Sequence, residues 1–568
     1  MTLAPPAVEP DGDQAHDADP GDPIGPGPAA DSDPGYRPDP ADSVVAIGAV
    51  PAIEAPRPAY KKLVTPMPTD RSRGWLVTIV VTAIGALVRF WNLGGATDGG
   101  TPLFDEKYYA LHAWQVLING GYEENYAYGV VVHPPLGKQI MALGEWMFGY
   151  TPVGWRFSAA VVGTLCIFLM VRVVRRMTRS TLIGGIAGIL LICDGMSHVQ
   201  SRTGLLDIFV AVFVLAAFAC VVADRDQVRA RLAEFVAAGT IATHPAGPAL
   251  GARWWRFAAG VLLGCAAAVK WSGLYWIAAF AVLTVIWDIT ARRDAGIRRS
   301  TGAVIRRDLL PSFWALAIVP FLTYVASWWA WFSSENAWAR HLTGTTHSDQ
   351  NGILGKISYS VAKLFGSTPA SWMEWQWQMY DFHKNLLTPL DPAKRHPWES
   401  KPWSWPIGTR PVLYYAPGGD DATGCAAGVT DCVKRIFLIG TPALWWISLP
   451  VLAWALWKII GRQDWRYAAV VVGYAAGYLP WFLNINRQMY FFYMTPVVPF
   501  LVIAISLVLA DVLGRPKDGV ERKITSLVVV CLYVGLVVVN FIWLWPILNG
   551  VPISRSGLDM RIWLPTWG

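Results

Sequence analysis

Two adjacent carboxylates, Asp105 and Glu106, open the stretch Thr101-Pro-Leu-Phe-Asp-Glu-Lys-Tyr-Tyr-Ala-Leu-His-Ala-Trp-Gln-Val-Leu-Ile-Asn-Gly120. A carboxylate held at a water boundary can take a proton from an attacking hydroxyl, the usual work of a general base. The same two residues also suit the start of a helix, Asp105 as a cap for free N–H groups and Glu106 as a partner of the positive helix end. Both readings stand on the residues alone. The pattern predicts a helix on a membrane surface, with Leu111, Trp114 and Ile118 on one face and an end at Gly120-Gly121. His133-Pro-Pro-Leu-Gly-Lys138 follows. Its two prolines stiffen the backbone ahead of a helical run from Leu136 to Phe148, so His133 and Lys138 are candidates for a fixed contact to a phosphate or a sugar hydroxyl.

Further ionisable side chains stand at the ends of apolar runs, where a charge is costly and asks for a partner or a purpose. Arg89 lies in Leu-Val-Arg-Phe-Trp-Asn, Arg156 in Gly-Trp-Arg-Phe-Ser, Lys270 in Ala-Val-Lys-Trp-Ser-Gly, and Arg487 in Asn-Ile-Asn-Arg-Gln-Met-Tyr-Phe-Phe-Tyr. Arg202 and Asp207 belong to Ser-Arg-Thr-Gly-Leu-Leu-Asp. Alternate threading of the runs puts all six at one leaflet. Cations gathered there beside carboxylates fit an anionic lipid headgroup; the competing reading is a set of ion pairs that only holds the helices together. His383 and the tryptophan-rich segments Trp372–Tyr380 and His396–Pro406 share one long polar loop. Such tryptophans either anchor a loop at the interface or stack on sugar rings.

The elements that must carry these residues are membrane helices. The chain has 568 residues, of which 54% are hydrophobic and only 15% charged, with 31 Trp, which excludes a soluble globular protein. The net charge of +7 falls in short loops between apolar runs, so it reports orientation rather than nucleic-acid binding. Residues 1–70 are rich in Pro, Asp, Gly and Ala and contain no apolar core of a cleavable signal peptide; they read as a disordered cytoplasmic tail. Eleven apolar runs follow, at about 75–93, 153–173, 181–193, 205–223, 254–270, 273–289, 311–331, 436–458, 467–483, 490–511 and 524–546. The connections that must then be cytoplasmic, 172–179, 224–253, 291–308, 461–466 and 514–523, are all basic, as the positive-inside rule requires. The domain scheme is a catalytic transmembrane module over 75–331 with an external loop at 94–152, a large external loop at 332–434, and a four-span module over 435–568 with an external tail. Five of seven cysteines fall in or beside apolar runs. Cys425 and Cys432 lie in the long loop and could bridge in an oxidising compartment, whereas two thiols without partners at ligand spacing argue against zinc.

Taken together, Phe104-Asp-Glu106, the His133 to Lys138 motif, Ser201 to Asp207, Val269-Lys-Trp-Ser-Gly273 and His396-Pro-Trp-Glu-Ser-Lys-Pro-Trp-Ser-Trp-Pro406 resemble the protein O-mannosyltransferases in their actinobacterial form. The resemblance runs from Trp75 to the C-terminus. It implies an all-α GT-C glycosyltransferase fold with eleven spans in the plasma membrane, the N-terminus cytoplasmic and the C-terminus outside. It also implies a polyprenyl-phosphate mannose donor and Ser/Thr hydroxyls of secreted proteins as acceptors, met at the secretion channel, with room for a divalent cation and no part for nucleic acid. Asp105-Glu106 corresponds to the family's catalytic acidic motif, and Arg89 and Arg156 to basic positions important for activity. A lipid phosphate departs without protonation, so one base suffices, and a single displacement would invert a β-linked donor to an α-mannoside. Neighbouring helical residues point about 100° apart, so one carboxylate faces the acceptor; Asp105 is favoured, with Glu106 positioning the acceptor or a cation. Residues 332–434 leave no room for a β-trefoil insertion. A GT-C enzyme with a glycan or lipid acceptor is the alternative.

Overall fold

Each of the eleven apolar runs contains helix. The computed structural model describes residues 62–95, 97, 100–124, 132–244, 246–342, 351–417, 431–514 and 519–568. The helices that bear on the site begin with α1 (Arg71–Phe90), α2 (Glu106–Ile118), α3 (Leu136–Phe148), α4 (Pro152–Thr178), α5 (Thr181–Ile192) and α6 (Gly195–Gln200). Next come α7 (Asp207–Ala237), α8 (Trp254–Val269), α9 (Gly273–Asp294), α10 (Leu309–Ser327), α11 (Gly352–Leu364) and α12 (Ser367–Asn385). The last four are α13 (Pro442–Arg462), α14 (Trp465–Tyr478), α15 (Phe491–Leu513) and α16 (Val520–Asn549).

Eight of these, α1, α4, α7, α9, α10, α13, α15 and α16, are long and apolar enough to cross a membrane. The other three expected crossings, α5, α8 and α14, are shorter, and α14 continues as a 3-10 turn over Leu479–Asn484. The eighth run departs from expectation at its start. Ile436–Leu438 is a strand and helix begins only at Pro442, because Gly440 interrupts the apolar run and proline suits the first helical position.

Burial sorts the spans. The most apolar windows of α7 and α15 are 78% and 72% buried, which makes them the centre of the bundle, whereas α1, α10, α13 and α16 stand at 28% and form its rim. On the rim, α8 meets α10 at very short range because Gly260 has no side chain: a Cβ there would lie 1.8 Å from the Ala315 carbonyl oxygen, inside the π-helical turn Trp314–Ile318. Outside the helices, β1 (Val412–Tyr415) pairs antiparallel with β3 (Ile436–Leu438), and β2 (Cys432–Val433) with β4 (Ile553–Ser554). Cys432 is disulfide-bonded; Cys425 lies outside the described residues.

Residues 62–70, assigned from composition to the tail, are docked instead. Leu63 is buried against Val228 and Leu232 of α7, Arg229 donates to the carbonyls of Lys62 and Leu63, and Asp70 pairs with Arg175 at 2.7 Å. One leucine and two held carbonyls are enough to seat the segment. Nearby, Arg253 and Arg256 at the head of α8 each bond to both Asp224 of α7 and Asp288 of α9, at 2.6 to 3.2 Å, and Arg292 pairs with Asp308 at 2.7 Å. These buried charges clamp one end of the bundle shut.

Candidate active site

The opposite helix ends stay apart and enclose a cavity of about 1040 Å3. Its walls come from the start of α2 (Asp105, Tyr109), the segment ahead of α3 (His133), the start of α7 (Asp207), the α8–α9 turn (Lys270), the end of α12 (His383) and the approach to α15 (Arg487). Residues far apart in sequence thus share one space.

Asp105 and Glu106 separate sharply at this point. Glu106 is fully buried and its two oxygens accept five hydrogen bonds. Arg156 supplies two through Nε and a terminal nitrogen at 2.8 Å each, Gly204 N one at 2.8 Å, Leu103 N one at 2.9 Å and Trp155 Nε1 one at 3.1 Å. A carboxylate so occupied has no lone pair left for a substrate proton. It rivets the head of α2 to α4 and to the turn before α7. Asp105 makes no side-chain cap and lines the cavity. Burial, with Asp207 nearby, pushes its carboxyl up to about 6 against the pull of Lys270 and Lys107. Phe104 before it sits at φ 48°, a left-handed conformation that costs a non-glycine residue on the order of 1–3 kcal/mol. Stacking of its ring on Tyr414, at 4.8 Å and 11°, and edge contacts with Tyr490 and Phe492 hold it there.

The facing wall is cationic. Lys270 Nζ bonds to Asp207 Oδ2 at 2.8 Å. Arg487 donates to the His383 carbonyl at 2.9 Å and to His383 Nδ1 at 3.3 Å, while its buried Nε has no protein partner among the described residues. His383 Nε2 therefore carries the ring proton and donates it to the Val132 carbonyl at 2.8 Å. The imidazole of His133 stacks on His383 at 5.2 Å. Burial keeps both rings neutral, lowering His383 to about 4 and holding His133 well below the usual histidine range, with Lys270 adding to the effect. Lys138 borders the same space, but its ammonium is committed to Glu123, at 2.5 and 2.7 Å, and to the His133 carbonyl at 3.1 Å, so it braces His133.

Three cations expected at the phosphate lie elsewhere. Arg156 is taken by Glu106, and neither Arg89 nor Arg202 lines the cavity. Arg89 turns inward from α1 to His198 Nδ1 at 2.7 Å and to the carbonyls of Leu191 and Ile192. Arg202 donates to the carbonyls of Arg89 and Trp91, at 2.8 and 2.5 Å, and so caps the end of α1. His396, Gln488 and Tyr490 also line the cavity and were not singled out from sequence, although His396 opens one of the motifs that carried the resemblance and Gln488 and Tyr490 follow Arg487 in its segment. Among the described residues no three His, Cys, Asp or Glu side chains gather as a metal site, and Asp207, the second carboxylate at the cavity, already holds Lys270 as its cation.

Two family models match the chain, "Dolichyl-phosphate-mannose-protein mannosyltransferase" over residues 151–334 and "C-terminal four TMM region of protein-O-mannosyltransferase" over residues 369–567. A polyprenol-phosphate-mannose–protein mannosyltransferase of Mycolicibacterium smegmatis is 51% identical over 500 residues, covering 88% of this chain and 94% of its own. The enzyme of that name from Mycobacterium tuberculosis is also 51% identical over 500 residues (88% and 93%), and that from Corynebacterium glutamicum 41% over 499 residues (86% and 93%). Among solved structures, the Saccharomyces cerevisiae protein O-mannosyltransferase Pmt1-Pmt2 complex bound to the sugar donor superposes with a TM-score of 0.66 at 16% identity, covering 90% of this chain and 94% of that one. That likeness gives the GT-C fold, and the bacterial relatives give the family: the chain belongs to the polyprenol-phosphate-mannose–protein mannosyltransferases.

Proposed function

We propose that this chain transfers mannose from polyprenol-phosphate-mannose to Ser and Thr hydroxyls of secreted polypeptides on the extracytoplasmic face, with Asp105 as the base. The observation that carries the reading is the division of labour at the head of α2: Glu106 is saturated by five donors, while Asp105 opens on a cavity walled by Lys270, Arg487 and His383. The acceptor hydroxyl oxygen attacks the anomeric carbon as its proton passes to the Asp105 carboxylate. The bond from that carbon to the phosphate oxygen breaks on the far side, and the electron pair leaves with the lipid phosphate, so a β-linked donor yields an α-mannoside. Arg487, through the Nε that has no partner among the described residues, and Lys270 stabilise the departing charge, and the neutral His133 and His383 suit hydroxyl or phosphate hydrogen bonds rather than ion pairing. No leaving-group acid is required.

The test is transfer of labelled mannose from polyprenyl-phosphate mannose to a Ser/Thr-rich peptide by purified protein, with Asp105→Asn beside the wild type. Turnover that vanishes in the variant while donor binding persists supports the assignment. Transfer to a glycan or a lipid in place of peptide would discard the acceptor and keep the fold.

A further inference from the structure

Away from the cavity, α11 carries a surface that no described residue covers. Ile353, Leu354, Ile357, Val361 and Leu364, with Phe365 just beyond the helix end, are 49–83% exposed. At 100° per residue their directions fall within an arc of about 120°. The remainder of the helix divides as cleanly. Buried Gly355 and Ala362, with Ser358 as acceptor of Trp377 Nε1 at 2.8 Å, face α12, and Lys356 and Lys363 share the third flank. Scattered apolar side chains on a surface need no explanation, but a continuous stripe of six does.

We propose that α11 lies in the membrane interface, its apolar arc among the acyl chains and its lysine flank at anionic headgroups, so that the bilayer surface fixes α12 and the His383 it carries. Thirteen residues make a rod of about 20 Å, too short for the ~30 Å hydrocarbon core, so this helix rests on the membrane and does not cross it. Its level is set by α12. There Trp372 and Trp375 pack on Trp328 and Trp331, with Trp328 and Trp375 at 4.9 Å, directly after the end of the membrane helix α10. Asn351 at the foot of α11 donates to Asp381 at 3.1 Å, two residues before His383. Lys363 on that flank belongs to a helix whose own sequence has no carboxylate, which matches anionic lipid better than a basic or neutral protein surface.

The full chain, with exposed Cys531 replaced by Ser, would be given single cysteines along α11, labelled with an environment-sensitive fluorophore and reconstituted into phosphatidylcholine vesicles with and without phosphatidylglycerol. Labels at 353, 357, 361, 364 and 365 are expected to emit in the blue and to be quenched by lipids brominated near the headgroup, with a helical period that leaves 356 and 363 water-like. Water-like emission at every position would overturn the proposal and leave a protein partner as the occupant. Because this readout needs no sugar transfer, it stands apart from the mannosyltransferase reading. The link to His383 rests on that reading. Lys363→Glu is expected to raise the donor KM in phosphatidylglycerol vesicles at unchanged kcat, and an unchanged KM would sever the link.

Discussion

At one end of the bundle Arg253 and Arg256 interlock with Asp224 and Asp288; at the other Asp105, Lys270 and Arg487 border a cavity, and one guanidinium nitrogen there has no protein partner among the described residues. Both ends bury charge, so burial alone does not mark function. What differs is closure. A buried charge whose bonds are all made inside the protein is a clamp, and removing one partner strands the other. A buried charge with unmade bonds facing space is held ready for a ligand. The same contrast recurs one residue apart, with Glu106 closed and Asp105 open.

That contrast breaks first at Asp105. Asp105→Asn is expected to lower kcat by about 10²- to 10⁴-fold, the range of a lost general base, with no fall in melting temperature, because the carboxylate makes no cap bond at the head of α2. The mirror experiment is Arg256→Met at the closed end. It leaves two carboxylates short of a partner and should cost about 3–5 kcal/mol of stability, read as a lower melting temperature in detergent, while turnover per folded molecule is unchanged. Glu106→Gln belongs with this second group in spite of its position, since it strands Arg156. Turnover loss without destabilisation in Glu106→Gln would erase the distinction. A smaller effect is expected at the open end from Arg487→Lys, which keeps the charge and loses the fork: donor KM should rise by about tenfold, the equivalent of roughly one charge-assisted hydrogen bond.

Hydropathy made the bundle legible because each span had to bury its backbone in its own hydrogen bonds. The stretch from Leu136 to Phe148 was readable to the residue, since Pro-Pro fixes its start and Gly149 its end. The strand at Ile436–Leu438 was not, because an apolar run reads the same whether it pairs with β1 or enters a helix. In the site, the motifs supplied Asp105, His133, Asp207, Lys270, His383 and Arg487, which converge on the cavity. Direction was the missing quantity. Arg89, Arg156 and Arg202 stand at helix ends as expected, yet whether such a side chain points into the cavity or back into its own bundle depends on rotation about the helix axis, which sequence position leaves open. The docking of residues 62–70 was unreadable for a related reason: a single buried Leu63 leaves no trace in composition.

The smallest expected effect is also the sharpest test of an open charge, because it uses pH rather than substitution of the group itself. Asp105 is raised to about 6, so below that pH it is protonated and cannot accept the hydroxyl proton; kcat/KM should climb about tenfold per pH unit toward pH 6 and level off above it. Stability runs the other way. Because the folded state raises the pKa above the usual carboxylate value, ionising the group disfavours the fold, so this contribution weakens as pH rises from about 4 through 6. Lys270 is the largest influence holding the value down, and it also neutralises Asp207, whose charge pushes it up. Lys270→Met removes the first and unmasks the second, so both changes move the acid limb of the kcat/KM profile to higher pH. A limb that stayed in place would mean that the group titrating in the profile is not Asp105, and the division between Asp105 and Glu106 would then rest on geometry alone.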